Sequence, residues 1–357
     1  MNKVIKFFLF AILSVSLLLV AACGGNEEPK TATPSEPQVG AGQEEGTGKL
    51  VVYSSRNEKF VEDLLAKFTA DTGIEVVALH GASANKISEE RGNVQADIFI
   101  SNDVGELEFL RMEGLLEGFE PELIDTIDAK YRAQDNSWFA LSARTRVLMY
   151  NKDLITEEEM PKTVWELTDA KWKDQFAITR GGNGSMIGHV TALRQEWGDE
   201  QVVEWLNALG ENAGAIMQGH GDIRKAVGAG EFKFGLVNNY YYHQQLVEPT
   251  DNNVGVIYPD QDGMGAVVNA AGVGLIKGGP NAVDARVFLN WILEDENQRE
   301  FSYASMEVPI NPNIEAIPGA ASITDYKTHD MPLSKLGEVW ADTKSIIENS
   351  GLGLEIR

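Results

Sequence analysis

The sequence predicts an α/β fold built on open sheets, and three observations carry that reading. Short apolar runs such as Leu50-Val51-Val52-Tyr53 alternate with stretches in which apolar residues recur at helical spacing. The runs are continuous rather than period-two, as in strands of a parallel sheet covered on both faces. The 357 residues exceed one ordinary core of ~150 residues, so two such units are expected.

The elements follow in order. Residues 1–22 read as a secretory signal: Lys3 and Lys6 precede the apolar run Phe7 to Val20, shorter than the ~20 residues a comfortable span needs. The run ends in Val20-Ala21-Ala22-Cys23-Gly24, which resembles the bacterial lipobox, so Cys23 is expected to carry lipid and to start the mature chain. Residues 23–48 are then the lipidated Cys and a disordered tether, since Gly, Pro, Glu, Ser and Thr bury too little apolar surface to fold. The expected location is the extracytoplasmic face of the cell membrane, held by lipid. That address suits substrate capture for a transporter, a surface enzyme or an adhesin.

After strand 50–53, Ser55-Arg56-Asn57-Glu58 has the S-x-x-E form of a capping box. Phe60, Val61, Leu64, Leu65 and Phe68 mark a helix that Gly73 ends. Strands follow at Ile74 to Ala78 and Ala96 to Ser101, then a helix with Leu107 and Leu110. The βαβαβ order places ligand groups at strand C-termini. A second α/β unit starts near residue 147, with strand runs Val147–Tyr150, Phe176–Thr179 and Phe232–Val237. A Gly-dotted strand region, Gly265 to Ile276, and a helix around Val287, Phe288, Trp291 and Ile292 come next.

Composition excludes several chemistries. Asp+Glu total 54 against Lys+Arg 30, a formal charge of −24, which disfavours binding to a nucleic-acid backbone. A single cysteine permits neither an intrachain disulfide nor a Cys-based zinc site. The five histidines form no H-E-x-x-H, and there is no G-x-S-x-G elbow.

Four features remain. The loop Gly181-Gly182-Asn183-Gly184-Ser185 between a strand and a helix either turns the chain or holds an oxyanion on backbone N–H groups. It lacks the lysine of a nucleotide-binding P-loop. Tyr240-Tyr241-Tyr242 ends an apolar strand, and three consecutive phenols cannot all face one core. They either pack as an aromatic strand end or offer hard oxygen donors suited to Fe(III). Adjacent strand residues face opposite sides, so two phenols on one ion require the backbone to leave strand geometry after Asn239. His220 lies in Gly219-His220-Gly221-Asp222, read as a flexible turn, either solvated or a ligand. Arg144 and Arg146 stand where the first unit gives way to the second, facing an interdomain cleft or solvent.

Taken together, LVVYSSRNEKFVEDLLAKFTADTGIEV, ADIFISNDVGELEFL, WFALSARTRVLMYN, NGSMIGHVTALR, KAVGAGEFKFGLVNNYYYH, MGAVVNAAGVGLI and EVPINP resemble, in order and spacing, the ferric-binding-protein family of bacterial ABC importers. The resemblance implies a two-lobe periplasmic-binding-protein type II fold, with crossing hinge strands near residues 144–150 and 262–272 and an interlobe cleft. Lobe 1 would be 49–145 plus 270–310, and lobe 2 146–269 plus 311–357. Tyr240 and Tyr241 match the adjacent tyrosines that bind ferric iron. Asn183, Gly184 and Ser185 match a loop that holds a synergistic anion in some members, and Asn238 matches the same anion site. Where other members place a His and a Glu, this chain has Asn57 and Asn102, poor Fe(III) ligands; Asp103, next door, is a substitute. His220 stands where relatives carry Asn, and Ser55 and Arg56 join the expected cleft contacts.

The implied site is tyrosine-led. Fe(III) brings +3 and two tyrosinates −2, so an anion such as carbonate or phosphate, or a chelator, completes it, with Arg144 and Arg146 as candidate holders. The implied protein is a monomeric solute-binding protein, not an enzyme, that captures ferric iron and delivers it to an ABC permease. Relatives of the same architecture carry thiamine, polyamines or phosphonates. An organic cation in an aromatic box of Tyr240–Tyr242 with Asp103 is therefore the alternative.

Overall fold

The computed structural model describes residues 45–352 and 356. The predicted signal, Cys23 and nearly all of the predicted tether lie outside the described residues. The last tether positions belong to the folded body: the Thr47 N–H donates to Asp284 Oδ2 at 2.7 Å and its hydroxyl to Asn281 Oδ1 at 2.5 Å.

The first half is β1 (Lys49–Ser54), α1 (Glu62–Thr72), β2 (Glu75–His80), α2 (Ala84–Glu89), β3 (Ile98–Ser101) and α3 (Val104–Met112). Gly73 closes α1 in the left-handed region (φ 75°), as its position in the sequence predicts. The capping box does not form. Asn57 instead caps a short 3-10 turn, Glu58–Phe60, and the Ser55 hydroxyl accepts the Asn102 N–H at 2.9 Å.

β4 (Trp138–Asn151) starts well before the strand predicted at 147. Then come β5 (Phe176–Thr179), α4 (Gly184–Trp197), α5 (Asp199–Asn212), β6 (Ala215–Met217), α6 (His220–Gly228), β7 (Phe234–Asn238), α7 (Asn239–Leu246) and β8 (Val254–Ile257). β9 (Val268–Leu275), α8 (Ala282–Trp291), α9 (Asp295–Tyr303), β10 (Val308–Pro309) and α10 (Leu336–Glu348) complete the chain.

The strands run in the order β2-β1-β3-β9-β4-β7-β5-β6, with β8 and β10 also on β4. The helix-connected pairs β1/β2, β1/β3, β5/β6 and β5/β7 are parallel, whereas β4 and β9 run antiparallel to their neighbours. The sheet is therefore mixed rather than purely parallel. β4 changes partner in mid-course: Thr145 is opposite Val268 of β9, and Arg146 is opposite Asn238 of β7. Its side chains alternate, Leu148 and Tyr150 entering the main core and Val147 and Met149 a second cluster with Ile223, Val227 and Val237.

α10 packs on both α3 and α4. Arg194 of α4 donates to the Val339 carbonyl at 2.9 Å and to Asp342 at 2.5 Å. On the other side α3 and α10 meet through glycines. A Cβ on Gly337 would lie 2.5 Å from Glu108 Cγ, and one on Gly105 2.8 Å from Trp340 Cδ1.

Glu106 of α3 is buried and supplies the cap that α2 lacks: its Oε1 accepts the Ala84 N–H at 2.7 Å, and its Oε2 accepts the Ser101 hydroxyl at 2.6 Å. Burial pushes its pKa up to about 7, against the pull of those two hydrogen bonds.

Two predictions follow from this packing. Gly337→Ala gains up to ~1 kcal/mol of helix propensity but costs ~1–3 kcal/mol of overpacking against Glu108. A lower Tm in thermal unfolding is the expected net result, and an unchanged or higher Tm would show that the crossing can relax. For Glu106, a raised carboxyl pKa means the folded state holds the proton more tightly than the unfolded chain. Its contribution is present below about pH 4.5 and is lost as pH rises through about 7. Glu106→Gln removes that titration, so its stability relative to the parent should rise across this window, by on the order of 3 kcal/mol. Parallel pH dependences in denaturant melts of the two proteins would contradict it.

Candidate functional site

A cavity of about 660 Å³ lies where the C-terminal ends of β1 and β3 face the N-terminal ends of α4 and α7. One wall carries Ser55, Arg56, Asn57, Asn102 and Asp103; the other carries Asn183, Gly184, Ser185, Tyr240 and Tyr241; Arg144 of β4 lies between them. Residues nominated from distant parts of the sequence therefore meet in one place.

The tyrosines are not at a strand-to-loop junction. β7 ends at Asn238 and α7 begins at Asn239, so Tyr240 and Tyr241 occupy the first turn of a helix. Consecutive helical residues are rotated by about 100° rather than about 180°, which lets both phenols line one cavity. Their ring centroids are 4.4 Å apart, tilted by 34°. Tyr242 does not line the cavity and, with part of Tyr241, packs on the Val147–Met149 cluster. Burial pushes the Tyr240 phenol pKa upward, its neighbour Tyr241 adds to this, and Arg144 opposes it. The Tyr240 phenol is thus neutral at neutral pH, and a hard cation has to displace its proton.

Asn183 caps α4, its Oδ1 accepting the Ser185 N–H at 2.9 Å, while its Nδ2 donates to the Gln218 carbonyl at 3.1 Å. The Ser185 N–H that the sequence offers to an oxyanion is thus already used. The Ser185 hydroxyl stays on the wall and accepts from Asn238 Nδ2 at 3.3 Å.

Arg146 lies behind the wall. It contacts His220 Nε2 at 2.7 Å and donates to the Ser185 carbonyl. Burial pulls its pKa down to about 9, and Arg144 adds to the decrease. His220 is not in a flexible turn: it is the buried first residue of α6, edge-on to the Tyr241 ring at 5.0 Å. Burial, and the nearby arginines, hold His220 and His189 well below the usual histidine pKa, so both are neutral. Arg146, His189 and Asn238 line a small void of about 10 Å³ behind the cavity, which Arg144 and Ser185 also reach.

On the opposite wall most polar groups already have partners. Asn57 Oδ1 accepts the Lys59 N–H at 3.2 Å, and Asn102 Nδ2 donates to the Ser55 carbonyl at 2.9 Å. Asp103 caps α3 through Oδ1 and the Gly105 N–H at 2.8 Å, with Oδ2 turned toward Gly188 of α4. Arg56, 1 % exposed, pairs with Glu307 at 3.1 Å, donates to Ser305 at 2.8 Å and lies 4.4 Å from the Phe301 ring. The Ser142 hydroxyl also donates to Glu307.

Sequence reasoning missed Lys59, Phe60, Glu106, Ile187, Gln244, Ser305, Glu307 and Trp340, which also line the cavity. Gln244 follows Tyr240 at i+4, a signal visible once α7 is known to be a helix. Trp340 left no local signal. Among the described residues no group of three or more His, Cys, Asp and Glu side chains could hold a metal, and no helix is long and apolar enough to cross a membrane.

The chain is 31 % identical over 346 residues to the iron uptake protein A1 of Synechocystis, covering 93 % of each. It is 26 % identical over 311 residues to the major ferric iron-binding protein of Neisseria meningitidis, covering 85 % of this chain and 93 % of that one. The Trichodesmium protein IdiA/FutA, solved with iron and citrate, superposes with a TM-score of 0.76 at 27 % identity, over 86 % of this chain and all of that one. Iron-bound HitA of Pseudomonas aeruginosa gives 0.77 at 26 %, over 84 % of this chain and 98 % of that one. The fold is the two-lobe periplasmic-binding-protein type II architecture expected from the sequence. Residues 63–329 match the model of the bacterial extracellular solute-binding proteins, and the chain belongs to that family.

Proposed function

We propose that this is a ferric-iron-binding protein, not an enzyme, that captures Fe(III) in its cleft and passes it to the permease of an ABC importer. The observation that carries this reading is the Tyr240–Tyr241 pair on the first turn of α7, both rings lining a cavity that Arg144 also enters. The ferric and iron-uptake names of relatives matched over 85–93 % of the chain support it. Phenolate oxygens are hard donors that discriminate for Fe(III) over soft ions. Binding replaces phenol protons by metal, so affinity falls as pH falls. Two phenolates against +3 leave one positive charge, which an external oxygen anion offsets beside Ser185, Asn238 and Arg144. Arg146, His189 and His220 support that wall from behind.

The lobes divide on β4 between Thr145 and Arg146, the body is a monomer, and lipid on Cys23 holds it at the outer face of the membrane. The organic-cation alternative draws less support. It needs three phenols and a free carboxylate, yet Tyr242 does not line the cavity and Asp103 caps α3.

Tyr240→Phe and Tyr241→Phe should each abolish most ferric binding and weaken or shift the tyrosinate-to-iron charge-transfer band, with folding retained. Tyr242→Phe should do little. Wild-type colour and affinity in both of the first two variants would make the phenols structural. For the anchor, Cys23→Ala should move the protein from the membrane fraction to the medium. Unchanged partitioning would refute lipidation at that residue.

A further inference from the structure

We infer that Asn239 is the positioning residue of the tyrosine pair: its amide oxygen fastens the first turn of α7 to β4 where β4 changes partner, and so fixes Tyr240 and Tyr241 against Arg144. The inference rests on the ferric reading above and adds to it a residue that does not line the cavity.

The sheet creates the need for a fastener. β9 and β7 flank β4 on opposite sides. Successive residues of a strand present their N–H groups to alternate sides. The Arg146 N–H donates toward β9, to the Val267 carbonyl at 2.9 Å, so the Thr145 N–H points toward β7. β7 ends at Asn238, opposite Arg146, and the same antiparallel register continued by one residue would set Asn239 opposite Thr145. Asn239 has by then turned into α7, and its backbone no longer follows the ladder. Its side chain takes the place of the missing strand carbonyl: Oδ1 accepts the Thr145 N–H at 3.1 Å. An N–H needs the amide oxygen there and not the nitrogen, which fixes the way the amide faces. Both residues are fully buried, so without that oxygen the N–H would stand unpaired in the core.

The fastening is also directed. An asparagine at a helix start ordinarily turns back to cap its own helix. Here Asn238, the N-cap of α7, makes no side-chain cap bond and donates to Ser185 Oγ at 3.3 Å, while Asn239 reaches β4. The strand end of the tie is held a second time, because the Thr145 hydroxyl lies 2.6 Å from the hydroxyl of Tyr326, whose ring stacks on Tyr258 at 4.0 Å.

Thr145 follows Arg144 directly, and Asn239 directly precedes Tyr240. One hydrogen bond therefore joins the neighbour of the guanidinium to the neighbour of the phenols. Two donors on one ion have to be held to within about 0.5 Å, and a tie this close to both leaves the first turn of α7 little room to drift.

The test titrates the full-length chain with ferric nitrilotriacetate and reads the charge-transfer band, the affinity and the Tm. Asn239→Leu is close in shape and removes the acceptor. Asn239→Asp keeps an acceptor oxygen, its carboxyl held neutral by burial. Asn151→Leu is the control: Asn151 is buried at the far end of β4, where its Nδ2 donates to the Val227 and Gly228 carbonyls at 2.9 and 3.2 Å. Asn239→Leu should shift the band and weaken ferric binding about tenfold. Asn239→Asp should restore both, and Asn151→Leu should lower the Tm with band and affinity unchanged. If Asn239→Leu does not fold, Asn239→Ala carries the same expectation. A parental band and affinity in the folded acceptor-less variant, an equal loss in Asn151→Leu, or no restoration in Asn239→Asp would overturn the inference and leave the ferric reading intact. Absence of colour in the parent chain would overturn the ferric reading and this inference with it.

Discussion

A single strand has to belong to both halves of the sheet, and most of this molecule is arranged around that constraint. β4 hydrogen-bonds to β9 and β10 along its first part and to β7 and β8 along its last. Of its 14 residues only Arg144 is not buried. A strand enclosed in this way has little freedom to twist independently, so it sets the angle at which the two halves meet. The one side chain it releases enters the cavity.

The same strand explains the electrostatics. Arg144 and Arg146 are two residues apart and so emerge on the same face. Arg146 is enclosed by His220 and the Ser185 carbonyl, and burial lowers its pKa to about 9, still charged at neutral pH. Neutral His189 and His220 add no further positive charge. The result is a positive wall behind two phenols of which Tyr240 at least is held neutral. Ionising Tyr240 favours the charged form of Arg146, and by linkage Arg146 favours ionised Tyr240. The wall therefore lowers the cost of forming phenolates at the moment a cation replaces their protons.

Rigidity elsewhere comes from polar groups used for structure rather than for ligand. Glu106 caps α2 from a neighbouring helix, Asn57 caps a 3-10 turn, Asp103 caps α3, and Glu307 holds Arg56. Each sits at the cavity, and each would be misread as a ligand from residue type alone. α10 ties the periphery together, bound by Arg194 to α4 and laid closely on α3 through Gly105 and Gly337.

Local chemistry determined much of this from sequence. The alternation of strand and helix, the Gly73 cap, the turn at Asn183–Ser185 and the chemical character of the tyrosine pair all depend on residues a few positions apart. The helix at 239–246 was not legible, because Tyr240–Tyr242 has strong strand propensity and only tertiary packing, against β4, β7, β8 and α6, overrides it. Nor were the antiparallel course of β4 and β9, the burial of His220, or Trp340 in the cavity. Arg56 and Glu307 are 251 residues apart in the chain, and no periodicity in either neighbourhood announces the pair. Periods and caps are properties of a segment. Which charges are paired, which amides are already bonded and which phenols share a cavity depend on what lies opposite, and only the folded chain brings those partners within reach.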